Sequence, residues 1–380
     1  MKNFKIMTLG ASGAGKTVFL ASMFKALSIQ KNSSFKLNVE DSQKRKLLNS
    51  TYTQILTGDT WPAGTKDISE WTFTCQVQTE DLDNYNACQF TYFDYAGGRL
   101  TDVEKDPDLE KVIQEADTVL GLLDGHKIYA WLNDSDRLRA NTFLNTDLPS
   151  ILNRMQNLKV PVHFVITKWD VLDRKFTLSQ IREKLLTIPA FAQLIKTQGE
   201  AGSIVRIIPV SAIGLEFATL QQDGSMKKNP GKIPIPFLLE VPISCVLPDK
   251  LQQLHNEKQA QEKQLEQQIQ KMEGGNILVS ALVGGLDILG VGLDGIGLIF
   301  EIDESFQVYR LIAKTASMFN SLLKGGIKGI NEKISKADRK KKETTLKSVQ
   351  DEQSALMHAI NVFYEFEKEL IDSFPESQLV

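Results

Sequence analysis

Short apolar runs separated by glycine, proline and polar clusters organise the first two thirds of the chain. Phe4 to Leu9 reads as a strand, and the helix-like Val18 to Phe24 follows it after a glycine-rich interval. A short strand, Phe35 to Val39, precedes a helical pattern from Asp41 to Leu56. Ser69 to Val77 and Cys88 to Phe93 are two further strands. Pro161 to Ile166 is continuously apolar apart from His163, the pattern of a parallel strand buried on both faces, and Ile204 to Val210 repeats it. Turn clusters then appear at Gln222 to Ser225 and Lys228 to Gly231, and Phe237 to Val246 is expected to close the core.

Beyond Pro248 the period changes to that of helices. Asp249 to Lys271 is a polar helix with Leu251, Leu254, Leu265, Ile269 and Met272 as an interrupted stripe. Gly274 to Phe300 is apolar and glycine-rich, with Asp287 and Asp294 as its charges. Its length approaches that of a bilayer span, but each aspartate costs about 2.5–3.5 kcal/mol at mid-membrane. Two readings therefore stand: a closely packed helical hairpin, or conditional membrane insertion with both aspartates on one interior face. Glu304 to Leu323 is amphipathic through Val308, Leu311, Ile312, Phe319, Leu322 and Leu323. Lys324 to Lys347 is basic around Lys340-Lys341-Lys342, either a solvated face or a contact for anionic lipid. Asp351 to Phe374 forms a last helix with Leu356, Ile360, Phe363 and Leu370 on one side. The expected division is an α/β domain over 1–248 and an all-α domain over 249–380, the latter containing the segments 274–300 and 324–347.

At 380 residues the chain exceeds one minimal core, and its net charge of −3 argues against a chain-wide nucleic-acid surface. Cys75, Cys88 and Cys245 have no metal-ligand spacing and suit the reducing cytosol. Met1 to Lys5 leads directly into the first strand, so no signal peptide is expected. A cytoplasmic location follows, peripheral at a membrane if the basic run meets lipid.

The interval after the first strand carries the most specific chemistry. Gly10-Ala11-Ser12-Gly13-Ala14-Gly15-Lys16-Thr17 has the form G-x-x-x-x-G-K-[ST] between a strand and a helix. Its glycines let successive backbone N–H groups face a polyphosphate at the helix N-terminus. Lys16 then reaches the β and γ phosphates, and the Thr17 hydroxyl takes a Mg²⁺ position. Asp94-Tyr95-Ala96-Gly97 ends the Cys88 strand; this D-x-x-G sets Asp94 to hold Mg²⁺ through water and Gly97 to approach the γ phosphate. Thr167-Lys168-Trp169-Asp170 follows the buried strand Pro161 to Ile166. A carboxylate fixed there accepts from guanine N1–H and N2–H, a donor pair that adenine lacks, while the Lys168 stem lies along base and ribose. Ser211-Ala212-Ile213, behind the next strand, offers backbone N–H groups to guanine O6.

These four blocks, GASGAGKT, DYAG, TKWD and SA, resemble in their order the Ras-like GTPases of the translation-factor-related P-loop class. The resemblance covers about the first 240 residues. It implies an α/β domain with a mostly parallel sheet, helices on both faces and the ligand at the strands' carboxyl ends. It also implies a GTP/GDP switch that uses Mg²⁺. The family's remaining element, a threonine that binds Mg²⁺ and the γ phosphate, is matched best by Thr65 in Thr60-Trp61-Pro62-Ala63-Gly64-Thr65. With Lys16 and Gly97, Thr65 completes the expected catalytic set.

Two departures shape the functional expectation. The interval from Thr17 to Thr65 is longer than a compact member needs. The position after D-x-x-G, where efficient members carry a water-orienting glutamine, is Gly98. Arg99 beside it suits a solvated surface. The expectation is a GTPase of low intrinsic activity whose nucleotide state is read by the helical region, with an activating protein or self-association as accelerator. The alternative is a non-catalytic GTP-binding module that restrains a membrane-acting or oligomerising helical effector.

Overall fold

The computed structural model describes residues 2–28, 35–64, 69–78, 84–95, 97–100, 107–156, 158–250, 252–253 and 349–380, and structural statements refer to these. The six expected strands, joined by an unanticipated one at Thr118–Asp124, form a seven-stranded sheet. Its strands are β1 (Asn3–Gly10), β2 (Lys36–Asn38), β3 (Ser69–Gln78), β4 (Asn84–Asp94), β5 (Thr118–Asp124), β6 (Val162–Thr167) and β7 (Val205–Pro209). The order is β2-β3-β4-β1-β5-β6-β7. From β4 to β7 all pairs are parallel, while β2–β3 and β3–β4 are antiparallel. Every residue of β5, β6 and β7 is buried, which explains why these strands are continuous apolar runs rather than alternations.

Successive side chains enter opposite layers. Met7, Leu9, Leu123, Phe164, Ile166, Val205 and Ile207 share one core. It also takes residues from α4 (Pro107–Gln114), α5 (Gly125–Leu132), α7 (Leu148–Met155), α8 (Leu178–Leu186) and α9 (Pro189–Glu200). Phe164 and Phe191 pack within it with tilted rings, 4.8 Å between centroids. The other face carries Phe73, Phe90 and Tyr92. There α1 (Lys16–Ser28) packs Phe19 against Tyr92 and Phe24 against Phe73. Helix α2 (Ser42–Thr57) starts at Asp41, whose carboxylate accepts from the Gln43 and Lys44 N–H groups at 2.8 and 3.1 Å, a cap worth about 1 kcal/mol.

Between β5 and β6 the chain runs through α5, α6 (Arg137–Thr142), a π-helical turn (Phe143–Asp147) and α7. After β7 a hairpin, β8 (Ala218–Leu220) and β9 (Met226–Lys228), turns at the expected Gln222–Ser225 cluster. The short α10 (Val241–Ser244) then buries Val241 and Ile243, with Leu239, Cys245 and Val246 buried beside it, as expected for Phe237 to Val246.

The final helix, α11 (Glu352–Ser373), occupies a place the sequence did not indicate. Asp351 caps it, accepting from Ser354 N–H at 2.7 Å; of the expected face Ile360, Phe363 and Leu370 are buried and Leu356 is half-buried. They pack on the sheet itself: Phe363 meets Phe35 edge-on at 5.0 Å and Phe90 at 5.9 Å. Helix α11 belongs to the same compact unit as the sheet. Asp249, expected to open the helical domain, is likewise buried in this unit.

Asp249 and α11 meet at the amino ends of β6 and β7. Arg206 Nη1 donates to both Asp249 carboxylate oxygens at 2.5 Å, and its Nη2 pairs with Glu367 of α11. His163 Nε2 lies 2.8 Å from Asp249 Oδ2. Burial lowers the His163 pKa, opposed by the adjacent Asp249 carboxylate. The segments 274–300 and 324–347, and all the helical patterns between 254 and 348, lie outside the described residues. No described helix is long and apolar enough to cross a membrane.

Candidate functional site

The carboxyl ends of the five parallel strands gather the sequence motifs. The loop after β1 needs left-handed backbone at Gly13 (φ 85°) and Gly15 (φ 84°), a conformation that side-chain-bearing residues rarely adopt. Ala14 N–H donates to Ala11 O at 3.2 Å, closing the loop over the start of α1. Lys16 is buried within it and donates to the carbonyls of Gly10 and Ala11 at 2.7 and 3.3 Å. Burial lowers its pKa, opposed by the negative charges of Asp94 and Asp147. Ser12 and Gly13 form the exposed rim, and Thr17 opens the first turn of α1.

The loop after β6 is tied to the glycine-rich loop after β1. Thr167 Oγ1 donates to Ala14 O at 2.8 Å, with Leu123 O at 3.2 Å. Lys168 adopts φ 52°, ψ 41°, and Trp169 N–H donates to Val210 O at 3.0 Å, which fastens the turn to β7. Asp170 follows in a 3₁₀ turn. Ser211 Oγ donates to its Oδ1 at 2.6 Å, while the shielded Oδ2 has no hydrogen-bond partner among the described residues. Burial raises the Asp170 pKa and the Ser211 hydroxyl opposes this. Ser211 itself differs from expectation. Its N–H donates to Phe237 O at 3.1 Å, so Ala212 and Ile213 remain as candidate backbone donors and Ser211 orients Asp170 instead.

Asp94 is buried at the end of β4, paired in register with Thr8 of β1 beside the phosphate loop. Its carboxylate and the Thr17 hydroxyl are hard oxygen donors, the kind that suits Mg²⁺. Gly97 opens the short helix α3 (Gly97–Leu100), directly against the phosphate loop. A Cβ there would lie 2.4 Å from Ser12 N and 2.6 Å from Ala11 C. Gly97→Ala must therefore push two backbone segments apart. It is expected to destabilise the protein by about 1–3 kcal/mol, checked by urea denaturation against the parent. Thr65 and the Arg99 side chain lie outside the described residues.

Three features escaped the sequence motifs. Asp124 ends β5 and pairs its Oδ2 with Lys168 Nζ at 2.8 Å. Asp147, at the end of the π-helical turn, holds Lys127 Nζ at 2.6 Å and acts electrostatically on Lys16. A π turn inside a helix is a recognisable signal of a functional position, though only from coordinates. Trp61, in the loop before β3, donates its indole N–H to Met226 O at 3.0 Å and lies under Lys228 and edge-on to Phe217. The hairpin following Ser211 thus holds the loop that leads to Thr65. The described residues contain no cluster of three or more His, Cys, Asp or Glu side chains able to hold a metal ion.

The fold is a mixed α/β architecture with a mostly parallel sheet, compatible with a P-loop domain. No protein-family model matches the chain, and no curated protein matches it.

Proposed function

We propose that this chain is a guanine-nucleotide switch that hydrolyses GTP slowly with Mg²⁺. The observation that carries the reading is Asp170. One carboxylate oxygen is fixed by Ser211 and the other is shielded and has no hydrogen-bond partner among the described residues, on a loop that Thr167 fastens to the phosphate loop. Such a carboxylate recognises two adjacent N–H donors, which guanine N1 and N2 supply. Ala212 N–H is the donor for guanine O6, and the Lys168 stem lies along the base. The phosphate loop, with the Gly10, Ser12, Gly13, Ala14 and Gly15 backbone and Lys16, takes the α, β and γ phosphates. Thr17 and Asp94 are the described residues that would hold Mg²⁺, joined in the triphosphate state by Thr65. When bound, the ion would supply positive charge to offset that of the phosphates. Hydrolysis adds water to the γ phosphorus and releases GDP and inorganic phosphate. Lys16 and the Gly97 N–H stabilise the charge on the transferring group.

Turnover is expected to be slow. A Cβ at Gly98 would meet nothing within 4 Å, so the position next to the terminal phosphate has space and no side chain to orient water. A water-orienting or charge-stabilising group supplied from outside is worth roughly 10³–10⁵ in rate for this chemistry. The test is single-turnover hydrolysis of GTP by dilute purified protein, with identification of the nucleotide that co-purifies. Slow conversion that Gly98→Gln accelerates supports the reading. Conversion that is fast and independent of protein concentration overturns it. The absent side chain at Gly98 also favours a second reading, a non-catalytic GTP-binding module. That reading requires tight GTP binding with no conversion at any protein concentration.

A further inference from the structure

The Asp124 carboxylate makes two contacts in different directions. Oδ1 accepts the His126 N–H at 3.0 Å and caps α5, while Oδ2 takes the Lys168 ammonium at 2.8 Å. The cap needs only one oxygen, so the pair with Lys168 is a separate commitment. The surroundings make it an aimed one. Lys168 holds a left-handed backbone conformation that an unbranched side chain gains nothing from by itself, and such conformations persist where neighbours enforce them. Behind it, Trp169 N–H is fastened to Val210 O. In front, the start of α5 presses on the turn: a Cβ on Gly125 would lie 2.3 Å from Thr167 O and 2.9 Å from Lys168 O. The side chain then runs beside the phosphate loop. Its Cε lies 4.0 Å from a Cβ position on Gly15, and Asp124 Oδ2 lies 4.0 Å from one on Gly13. Asp124 is buried and the Lys168 side chain is 29% exposed, so the pair is partly shielded and its charge-assisted bond is stronger than a surface one.

We propose that Asp124 is a positioning residue for nucleotide binding: it anchors the Lys168 ammonium so that the lysine stem is stretched along the phosphate loop as a platform for the base and ribose. The proposal rests on the reading of Asp170 as the guanine acceptor, and it adds what holds the platform next to that acceptor. Since the Lys168 charge is committed to Asp124, the lysine contributes its apolar stem and no free cation for the phosphates. GDP and GTP, which share base and ribose, therefore depend on Asp124 equally.

The experiment is a double-mutant cycle on the full chain, with GDP and GTP affinities measured by calorimetry. Asp124→Ser keeps an oxygen for the His126 cap and removes the anchor. Asp124→Asn keeps size and cap and removes the charge, which covers the case in which the serine variant fails to fold. Each is expected to weaken GDP and GTP by the same factor, about tenfold or more, with the melting temperature near that of the parent. Lys168→Met should lose a similar factor, and Asp124→Asn combined with Lys168→Met should be within about twofold of Lys168→Met alone. Independent, multiplying losses in the double variant overturn the proposal, as does an Asp124→Asn affinity equal to the parent. A parent protein that binds neither GDP nor GTP overturns the guanine reading itself, a result distinct from a parent that binds and variants that do not change.

Discussion

Asp170→Asn is expected to lower GTP affinity about 10²–10⁴-fold and to shift preference towards xanthosine triphosphate. Two hydrogen bonds to a charged acceptor are worth about 1.5–3 kcal/mol each. Asparagine keeps one acceptor oxygen but turns an NH₂ towards a guanine N–H donor, replacing attraction by a clash of donors. Xanthine offers an oxygen where guanine has its amino group, and the asparagine NH₂ satisfies it. Ser211 donates its hydroxyl to Asp170 Oδ1, and an asparagine oxygen accepts the same bond, so the side chain stays aimed. The carboxylate must be ionised to accept both bonds. Burial raises its pKa, so parental guanine affinity should fall with acidification sooner than for an ordinary aspartate, and the asparagine variant should lack that dependence. Calorimetry with GTP, ATP and xanthosine triphosphate checks both points. Equal parental affinity for GTP and ATP would remove Asp170 from the site.

Arg206→Met should be the most destabilising single change at the opposite ends of the same strands. Arg206 is 2% exposed and lies between Asp249, 1% exposed, and Glu367. Methionine fills most of the volume but leaves the Asp249 and Glu367 carboxylates buried without their cation. Breaking a buried ion pair from one side costs about 3–5 kcal/mol, a large part of a domain's stability. Urea denaturation should show a lower midpoint with little change in slope. Without Arg206 the carboxylates bind protons more readily folded than unfolded, so the deficit should be greatest near pH 7 and shrink towards pH 5. Replacing Arg206, Asp249 and Glu367 together by apolar residues should recover most of the loss, since it is the unpaired charges that destabilise. A variant as stable as the parent at pH 7 would mean that the network is solvated.

The strands that carry motifs were legible because parallel strands buried on both faces leave continuous apolar runs, and each ends on a recognisable cluster. Val162–Thr167 and Val205–Pro209 fall within one residue of the expected Pro161–Ile166 and Ile204–Val210. Helix α2 starts where Asp41 signalled. Asp124 was not legible, although β5 is as apolar as its neighbours. Its role arises from the pairing of β5 between β1 and β6, which sets Asp124 opposite Thr167. No local pattern encodes that pairing. Asp147 depends in the same way on a π turn, and Trp61 on a hairpin far along the chain. For α11 the periodicity gave the buried face correctly but not the surface that covers it. Phe35 and Phe90 are distant in sequence, and a helical stripe carries no address for its partner.

The placement of α11 also sets an order of events during synthesis. Chains emerge amino end first at ~5–20 residues per second, and domains fold as units when their last element is available. All seven strands and α10 precede residue 249, whereas the helix that covers Phe35 and Phe90 begins at Glu352. Roughly 100 residues, or roughly 5–20 s of translation, therefore separate a complete sheet from the helix that finishes one of its faces. Over that interval the aromatic surface later covered by Phe363 is open on the nascent chain, as are the Arg206 side chain's unmet bonds to Glu367. A ribosome-bound chain ending near residue 253 is accordingly a natural client for a chaperone that binds apolar surface, and release coincides with the arrival of α11.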